Sequence, residues 1–248
     1  MIAGPDRAES VAGEAAGATA RPRSPSLAAF RAILAKDLRV ELRTLQSVPA
    51  MALFAVTTFV LFRFGLDRGT LSGSLAAGVF LATILFAALL AVNRLFVAEV
   101  QEGGFDAIRL SPADATALGA AKAAALVVYL LVLEAIVLPV FAVFFLDSWA
   151  ALAPLAGVLL LTDVGLAATG ALVSSIAANS RARDLLAPLL LLPLLVPVMI
   201  AAAGAAEPLL AAGGPSYDGI AKWLAVLSLY DVVFLLVGYA VYDFLLED

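Results

Sequence analysis

Four ionisable side chains lie within long apolar stretches of the sequence: Arg63, Glu134, Asp163 and Asp231. Such groups are costly in a bilayer, so they usually belong to a proton relay, a substrate pathway or a polar contact between helices. One interpretation is a proton relay through the three acids. The other, which we favour, is a structural or interface role in which an acid pairs with Arg63 or bonds to Thr162, Ser228 or a tyrosine. An ordered relay would normally include more partners.

The sequence contains no cysteine and no histidine. Disulfides and thiol chemistry are therefore excluded, and the commonest general base and the usual ligands of zinc and haem iron are missing. The phosphate-binding pattern G-x-x-x-x-G-K-[ST] does not occur, and neither do the H-E-x-x-H and G-x-S-x-G patterns of hydrolases. We predict no catalytic residue, no metal site and no cofactor in this chain, so any ATP-driven work needs a separate subunit.

One loop has a composition suited to receiving motion from such a subunit. It spans residues 98–114, AEVQEGGFDAIRLSPAD, and its Gly-Gly pair permits a sharp turn before a short FDAIRL stretch that can form one or two turns of amphipathic helix. An ordinary polar connector is the alternative. The residues of this predicted ATPase-coupling loop are Glu102, Gly103, Gly104, Phe105, Asp106 and Arg109.

Three prolines, Pro188, Pro193 and Pro197, occur within ten residues of one apolar run. Each removes a backbone donor and is expected to kink or break a helix. Broken helices mark binding sites in transporters. Packing accommodates single kinks, but three so close together favour a gating or pathway role.

The elements that position these residues are predicted to be membrane spans. Hydrophobic residues make up 63% of the chain and charged residues 14%, against about half and about a quarter in a soluble domain. Each span needs about 20 apolar residues. We predict six spans, at residues 48–66, 75–97, 117–146, 151–177, 185–206 and 223–246. A loop at 207–222 precedes the last span.

A basic amphipathic helix is predicted before the first span, at residues 26–45. Its apolar residues recur every three or four positions, and Lys36, Arg39 and Arg43 occupy the opposite face. Such a helix usually lies in the membrane interface, although packing on a partner protein is an alternative. Residues 1–25 are rich in Ala, Gly, Pro and charge, and we expect a disordered cytoplasmic tail before a permease domain at 26–248.

Lysines and arginines indicate the orientation of the spans. Seven of them precede the first span. Two more pairs flank or occupy the loops after the second and fourth spans, whereas the loops at 67–74 and 147–150 carry only Arg68. Positively charged loops face the cytoplasm. Both termini are therefore predicted to be cytoplasmic, in a multi-pass protein of the cell inner membrane.

Four stretches of the sequence, taken together, carry a family resemblance: KDLRVELRT (36–44), EGGFDAIRLSPAD (102–114), LLLLPLLVPVMIAA (189–202) and LSLYDVVFLLVGYAVYDFLLED (227–248). In this order and spacing they resemble haem exporter protein B, the CcmB family of membrane subunits in cytochrome c maturation. Glu134 also lies before a proline, in VVYLLVLEAIVLPVF, where many family members carry an acid. The resemblance covers nearly everything but the tail.

This resemblance implies an all-α fold of six transmembrane helices with an amphipathic N-terminal helix, like the type-2 ABC exporters. It implies a cytoplasmic ABC ATPase docked at residues 102–110, a second haem-handling membrane subunit and a periplasmic haem chaperone. In the family, two roles for ATP hydrolysis are open, movement of haem and release of the haem-loaded chaperone. The absence of His and Cys fits release better.

Three functional hypotheses follow. The leading one is the membrane subunit of an ABC-type complex that couples a partner ATPase to haem export or chaperone release. A second is a type-2 ABC permease for lipid, glycan or drug export, which neighbouring genes would distinguish. A third is an ion-coupled secondary transporter that uses the intramembrane acids and needs no ATPase.

Overall fold

The computed structural model describes residues 27–66, 70–95, 115–146, 149–178, 180 and 182–245. Within them the chain forms seven α-helices, and a short 3-10 turn, Trp149–Ala151, precedes the fifth. The helices are α1 (Leu27–Thr44), α2 (Ser47–Gly65), α3 (Gly73–Arg94), α4 (Ala115–Phe145), α5 (Leu152–Ala177), α6 (Arg183–Leu209) and α7 (Ile220–Leu245).

Helices α2 to α7 are long and apolar enough to cross a membrane, and they are the six candidate spans among the described residues. The predicted all-α integral membrane fold is confirmed. Each helix begins and ends within three residues of its predicted span. The predicted loop at 207–222 is shorter than expected because α6 continues to Leu209 and α7 begins at Ile220. The predicted tail lies outside the described residues.

The prolines do not break the fifth span. α6 is continuous from Arg183 to Leu209, with Pro188, Pro193 and Pro197 inside it. Each proline removes one intrahelical hydrogen bond. A chain that left the helix at membrane depth would expose further unsatisfied backbone groups to lipid, at several kcal/mol each. The helix therefore continues through all three positions. A kink or a break was predicted, and the break does not occur.

Hydrogen bonds between elements identify the two ends of the bundle. Where α3 ends, the Arg94 guanidinium donates to the Gln46 backbone carbonyl, just before α2 (3.0 Å). Where α3 begins, the Gly73 backbone N–H donates to the Leu210 carbonyl, just after α6 (2.6 Å). We call these the α1 end and the far end, because α1 leads into α2 at the first of them.

Small residues place α5 at the centre of the bundle. A Cβ added at Gly165 would lie 2.7 Å from the Asp231 carboxyl on α7, and one added at Gly170 would lie 2.8 Å from the Val92 side chain on α3. Side chains on several faces of α5 are buried. Small residues let membrane helices approach closely, so α5 contacts neighbours on several sides at once.

An aromatic cluster joins α2, α3 and α4 towards the far end. Phe59, Phe80 and Phe141 are fully buried, and the Phe80 and Phe141 rings meet edge to face with their centroids 4.8 Å apart. The Phe59 ring lies 5.3 Å from the Phe141 ring. Aromatic pairs in this geometry contribute about 0.5–1.5 kcal/mol beyond burial, so the cluster stabilises the packing of these three helices.

The predicted amphipathic helix is present as α1, but its apolar residues divide into two groups. Phe30, Leu34 and Leu38 are half-buried, whereas Leu27, Leu42 and Leu45 are exposed by 60% or more. The face that packs on the bundle also carries a buried acid, Asp37, which the simple apolar pattern did not predict. The helix therefore has a protein-facing side, exposed leucines near its two ends and an exposed basic side.

Candidate functional site

Two of the predicted intramembrane acids meet inside the bundle. Glu134 on α4 is 4% exposed, Asp163 on α5 is fully buried, and their carboxyl groups lie within hydrogen-bonding reach of each other. Glu134 Oε1 and both Asp163 carboxyl oxygens receive no hydrogen bond from a donor group among the described residues. A hydrogen bond between two carboxyl groups requires a proton on one of them, so this pair is a place where one proton can be held.

The third predicted acid, Asp231, belongs to the same region but packs differently. It lies on α7, is 7% exposed and has one carboxyl oxygen, Oδ1, that receives no hydrogen bond from the described residues. That oxygen occupies the space that a side chain at Gly165 would fill. Because Gly165 is two residues after Asp163 on α5, the structure places acids from α4, α5 and α7 along one central helix.

A tyrosine that the sequence reading did not single out connects three helices beside these acids. The Tyr230 hydroxyl on α7 donates to the Leu194 backbone carbonyl on α6 (2.9 Å). It also lies 2.9 Å from the Thr169 hydroxyl on α5. The Leu194 carbonyl can accept this bond in addition to an intrahelical one, because a backbone carbonyl oxygen has two lone pairs. Only the neighbouring Asp231 gave a sequence signal for this position.

The other predicted partners of the acids lie elsewhere. Arg63 occupies the last turn of α2, at the far end. Glu134 lies eleven residues before the end of α4, or about 16 Å along the helix axis. The Thr162 hydroxyl donates to the Val158 carbonyl in its own helix (2.9 Å), and Ser228 is exposed. The predicted bond from Thr162 to an acid is wrong, because the hydroxyl donates to the carbonyl one turn earlier in its own helix.

A buried ion pair attaches α1 to the bundle. Lys122 on α4 is 2% exposed, and its ammonium lies 2.8 Å from an Asp37 carboxyl oxygen. The Lys36 ammonium lies 3.2 Å from the other oxygen, and the Tyr129 hydroxyl donates to the Asp37 backbone carbonyl (3.4 Å). Sequence reasoning missed this pair. The available signal was Lys122 itself, because a lysine inside the predicted span at 117–146 needs a partner for its charge.

The turn between α1 and α2 is fixed by hydrogen bonds from the backbone to a side-chain carboxylate. Leu45 adopts a left-handed conformation with φ of 50°, which an L-residue with a side chain rarely adopts. One carboxyl oxygen of Glu41 accepts hydrogen bonds from the N–H groups of Ser47 and Val48, at 2.8 and 2.9 Å. These are two of the donors that a helix N-terminus leaves unsatisfied. The Glu41 carboxylate therefore caps α2, and α1 and α2 are joined at a defined angle.

The predicted coupling loop lies outside the described residues, with Glu102, Gly103, Gly104, Phe105, Asp106 and Arg109. The helices on both sides of it are described. At the end of α3, Arg94 bonds to the carbonyl of Gln46, and eight residues into α4, Lys122 pairs with Asp37. Both flanks of the loop therefore contact α1 or the turn that follows it.

Two of the three predicted prolines differ in their surroundings. Pro193 lines an apolar groove between α3 and α6, together with Leu85 and Met199. Pro188, nearer the α1 end, is half-buried.

Among the described residues, no group of three His, Cys, Asp or Glu side chains is placed to hold a metal ion.

Comparison with known protein families gives a match over most of the chain. The family described as CcmB protein matches residues 28–243, which is nearly the whole chain and includes all seven helices except the last two residues of α7 and the first of α1. The chain belongs to the CcmB family. CcmB-family proteins are membrane subunits of haem-export ABC systems and work with an ATPase and haem-handling proteins. A search of curated proteins found no match.

Membership of the CcmB family, together with the six apolar helices, identifies a multi-pass membrane transport subunit rather than a catalytic enzyme. The match extends over α1 as well as the spans, so the helix that carries Asp37 is part of the family unit. The tail at 1–25 lies before the matched residues.

Proposed function

We propose that this chain is the permease subunit that couples a separate cytoplasmic ABC ATPase to haem export or to release of the haem-loaded chaperone. The ATPase would dock at the loop that contains Phe105, Asp106 and Arg109. A second haem-handling membrane subunit and a periplasmic haem chaperone would complete the complex. The protein would lie in the cell inner membrane with both termini in the cytoplasm.

One observation carries the coupling part of this proposal. The two helices that flank the loop are both attached to α1 or its connection to α2, through Lys122 with Asp37 and Arg94 with Gln46. A force applied to the loop would reach these contacts first. Buried ion pairs and capped turns resist small displacements, so the end of the bundle would move as a unit and transmit the motion to the spans.

The chemistry of the chain favours chaperone release over ligation of haem iron. It has no histidine and no cysteine, which are common axial ligands of haem. The carboxyl pair of Glu134 and Asp163 is enclosed by helices. A subunit of this composition is better suited to moving a partner than to holding the iron.

Charge reversal in the loop tests the proposal. Asp106→Arg with Arg109→Glu should leave insertion unchanged but uncouple the ATPase, so c-type cytochrome levels should fall. The control is Asp6→Arg with Arg7→Glu, an equal change in the tail outside the family match, which should have no effect. Normal cytochrome levels in the loop variant, at normal expression and with the ATPase still bound, would count against the proposal.

The buried carboxyl pair supports a second candidate, a proton-coupled transporter. Two acids that can share one proton, with Asp231 close by on α7, form the beginning of a relay. This candidate predicts transport that persists without any ATPase and stops when a protonophore removes the proton gradient. Loss of transport on deletion of the ATPase would reject it.

A further inference from the structure

The basic side of α1 carries two arginines whose charges the described protein does not neutralise. Arg39 and Arg43 are both exposed, and neither has an ion-pair partner within the residues that the structure describes. Residues four apart are neighbours on a helix, and like charges at this spacing repel. Glu41, the acid between them in sequence, is directed to the start of α2 instead. An external anion would relieve this repulsion.

Two exposed leucines at the C-terminal end of the same helix locate that anion. Leu42 is 76% exposed and Leu45 is 60% exposed. At 3.6 residues per turn, Arg39 lies about 60° and Arg43 about 100° around the helix from Leu42. A two-residue turn, residues 45–46, connects α1 to α2, a membrane span that begins at Ser47. The exposed leucines therefore lie at the depth where the apolar core begins, and the arginines beside them reach the layer of lipid phosphates.

We propose that Arg39 and Arg43 form a binding site for anionic phospholipid headgroups of the leaflet on which α1 lies. A guanidinium presents paired N–H donors that match two phosphate oxygens. A net negative headgroup is favoured over a zwitterionic one, because the two arginines add positive charge that no described acid offsets. This site does not depend on the proposed coupling function.

The magnitude follows from the charges. Each basic residue near an anionic surface adds about fivefold to lipid affinity, and two add roughly 30-fold if they act independently. The interaction is between exposed charges, so it should weaken as salt shortens the screening length from about 10 Å at 0.1 M towards about 3 Å at 1 M. The leucines contribute equally to both lipid classes and therefore do not affect the preference.

Fluorescence quenching can measure the preference directly. The chain has no cysteine, so Leu42→Cys provides one site for a fluorophore at an exposed position beside the two arginines. The labelled chain is placed in vesicles of phosphatidylcholine that contain either spin-labelled phosphatidylglycerol or spin-labelled phosphatidylcholine. Stronger quenching by phosphatidylglycerol, reduced at high salt, is expected for the parent. Arg39→Gln and Arg43→Gln should each lower the preference about fivefold.

Two further variants separate charge from fold. Lys222→Gln removes an exposed positive charge at the far end and should leave the preference unchanged, whereas Arg39→Lys with Arg43→Lys should retain most of it. Equal quenching by the two lipids in the parent would overturn the proposal. So would an unchanged preference in the double glutamine variant. If the parent lacks a lipid preference but the glutamine variants lose the ATPase, the site binds an acidic protein surface instead, and the proposal is wrong.

Discussion

The attachment of α1 to α4 can be tested by removing the charges of its ion pair one at a time. Asp37 contacts two ammonium groups, Lys122 at 2.8 Å and Lys36 at 3.2 Å. Asp37→Asn therefore weakens two contacts, whereas Lys122→Met removes one and leaves the carboxylate beside Lys36. We expect the aspartate variant to be the more destabilising of the two.

The burial of the pair sets the size of the effect. The side chains of Lys122 and Asp37 are 3% and 10% exposed, and breaking a buried pair by removing one charge costs about 3–5 kcal/mol. Replacement of both partners by neutral groups costs less than removal of one, because no charge is left in an apolar site. The double variant, Asp37→Asn with Lys122→Met, should therefore be more stable than Asp37→Asn alone.

A single cysteine reports whether α1 is docked. Ile33 packs against the core from the protein-facing side of α1, and the chain has no other thiol, so Ile33→Cys should react slowly with a water-soluble maleimide. A loss of 3–5 kcal/mol in docking should raise that rate about 100- to 4000-fold, at 1.4 kcal/mol per factor of ten. Asp218→Asn, an exposed acid at the far end, is the control and should leave the rate unchanged.

Two results would refute this reasoning. If Asp37→Asn and the parent react at the same rate, the ion pair does not hold α1 on the bundle. If Lys122→Met reacts faster than Asp37→Asn, the second ammonium contact of Asp37 has no energetic effect.

Three other substitutions have defined outcomes in thermal unfolding of the purified protein. Gly204→Ala would place a Cβ 2.6 Å from two atoms of an indole ring on α7 and should cost about 1–3 kcal/mol, whereas Gly157→Ala meets nothing within 4 Å and should be neutral or stabilising by up to about 1 kcal/mol; equal effects would contradict the close packing. Glu134→Ala should cost about 1–3 kcal/mol more than Glu134→Gln, because the amide can still bond to Asp163, and equal melting temperatures would argue against the pair. Leu45→Gly should raise stability by about 0.5–1 kcal/mol, since glycine adopts a left-handed conformation without steric cost, and a lower melting temperature would show that the leucine side chain matters more.

The spans were predictable from sequence because a membrane requires long apolar helices, and the bounds of α3 and α4 differ from the predicted ones by no more than three residues. Their arrangement was not predictable in this way. Apolar periodicity is weak in helices that face both lipid and protein, so it could not identify α5 as the central helix. The glycines did contain a signal, since Gly165 and Gly170 lie where other helices approach most closely.

The candidate site was predicted in part. Glu134, Asp163 and Asp231 were identified individually as costly residues, but which of them meet depends on helix packing. The pairing of Glu134 with Asp163 became visible only in the structure. Asp37 and Lys122 were missed because a charged residue on an amphipathic helix looks solvated, and a lysine near the end of a long span looks as if it could reach the membrane surface.

The carboxyl pair lies on consecutive helices, and this has a consequence for how the protein enters the membrane during synthesis. A helix that carries Asp163 is costly to release into lipid alone. α4 emerges immediately before it and brings Glu134 to meet it, so the two helices can insert together as a hairpin. Asp231 arrives last, on α7, and finds its place against Gly165 already formed. The order of the helices along the chain therefore lets Asp163 and Asp231 each meet a partner helix that has already been synthesised.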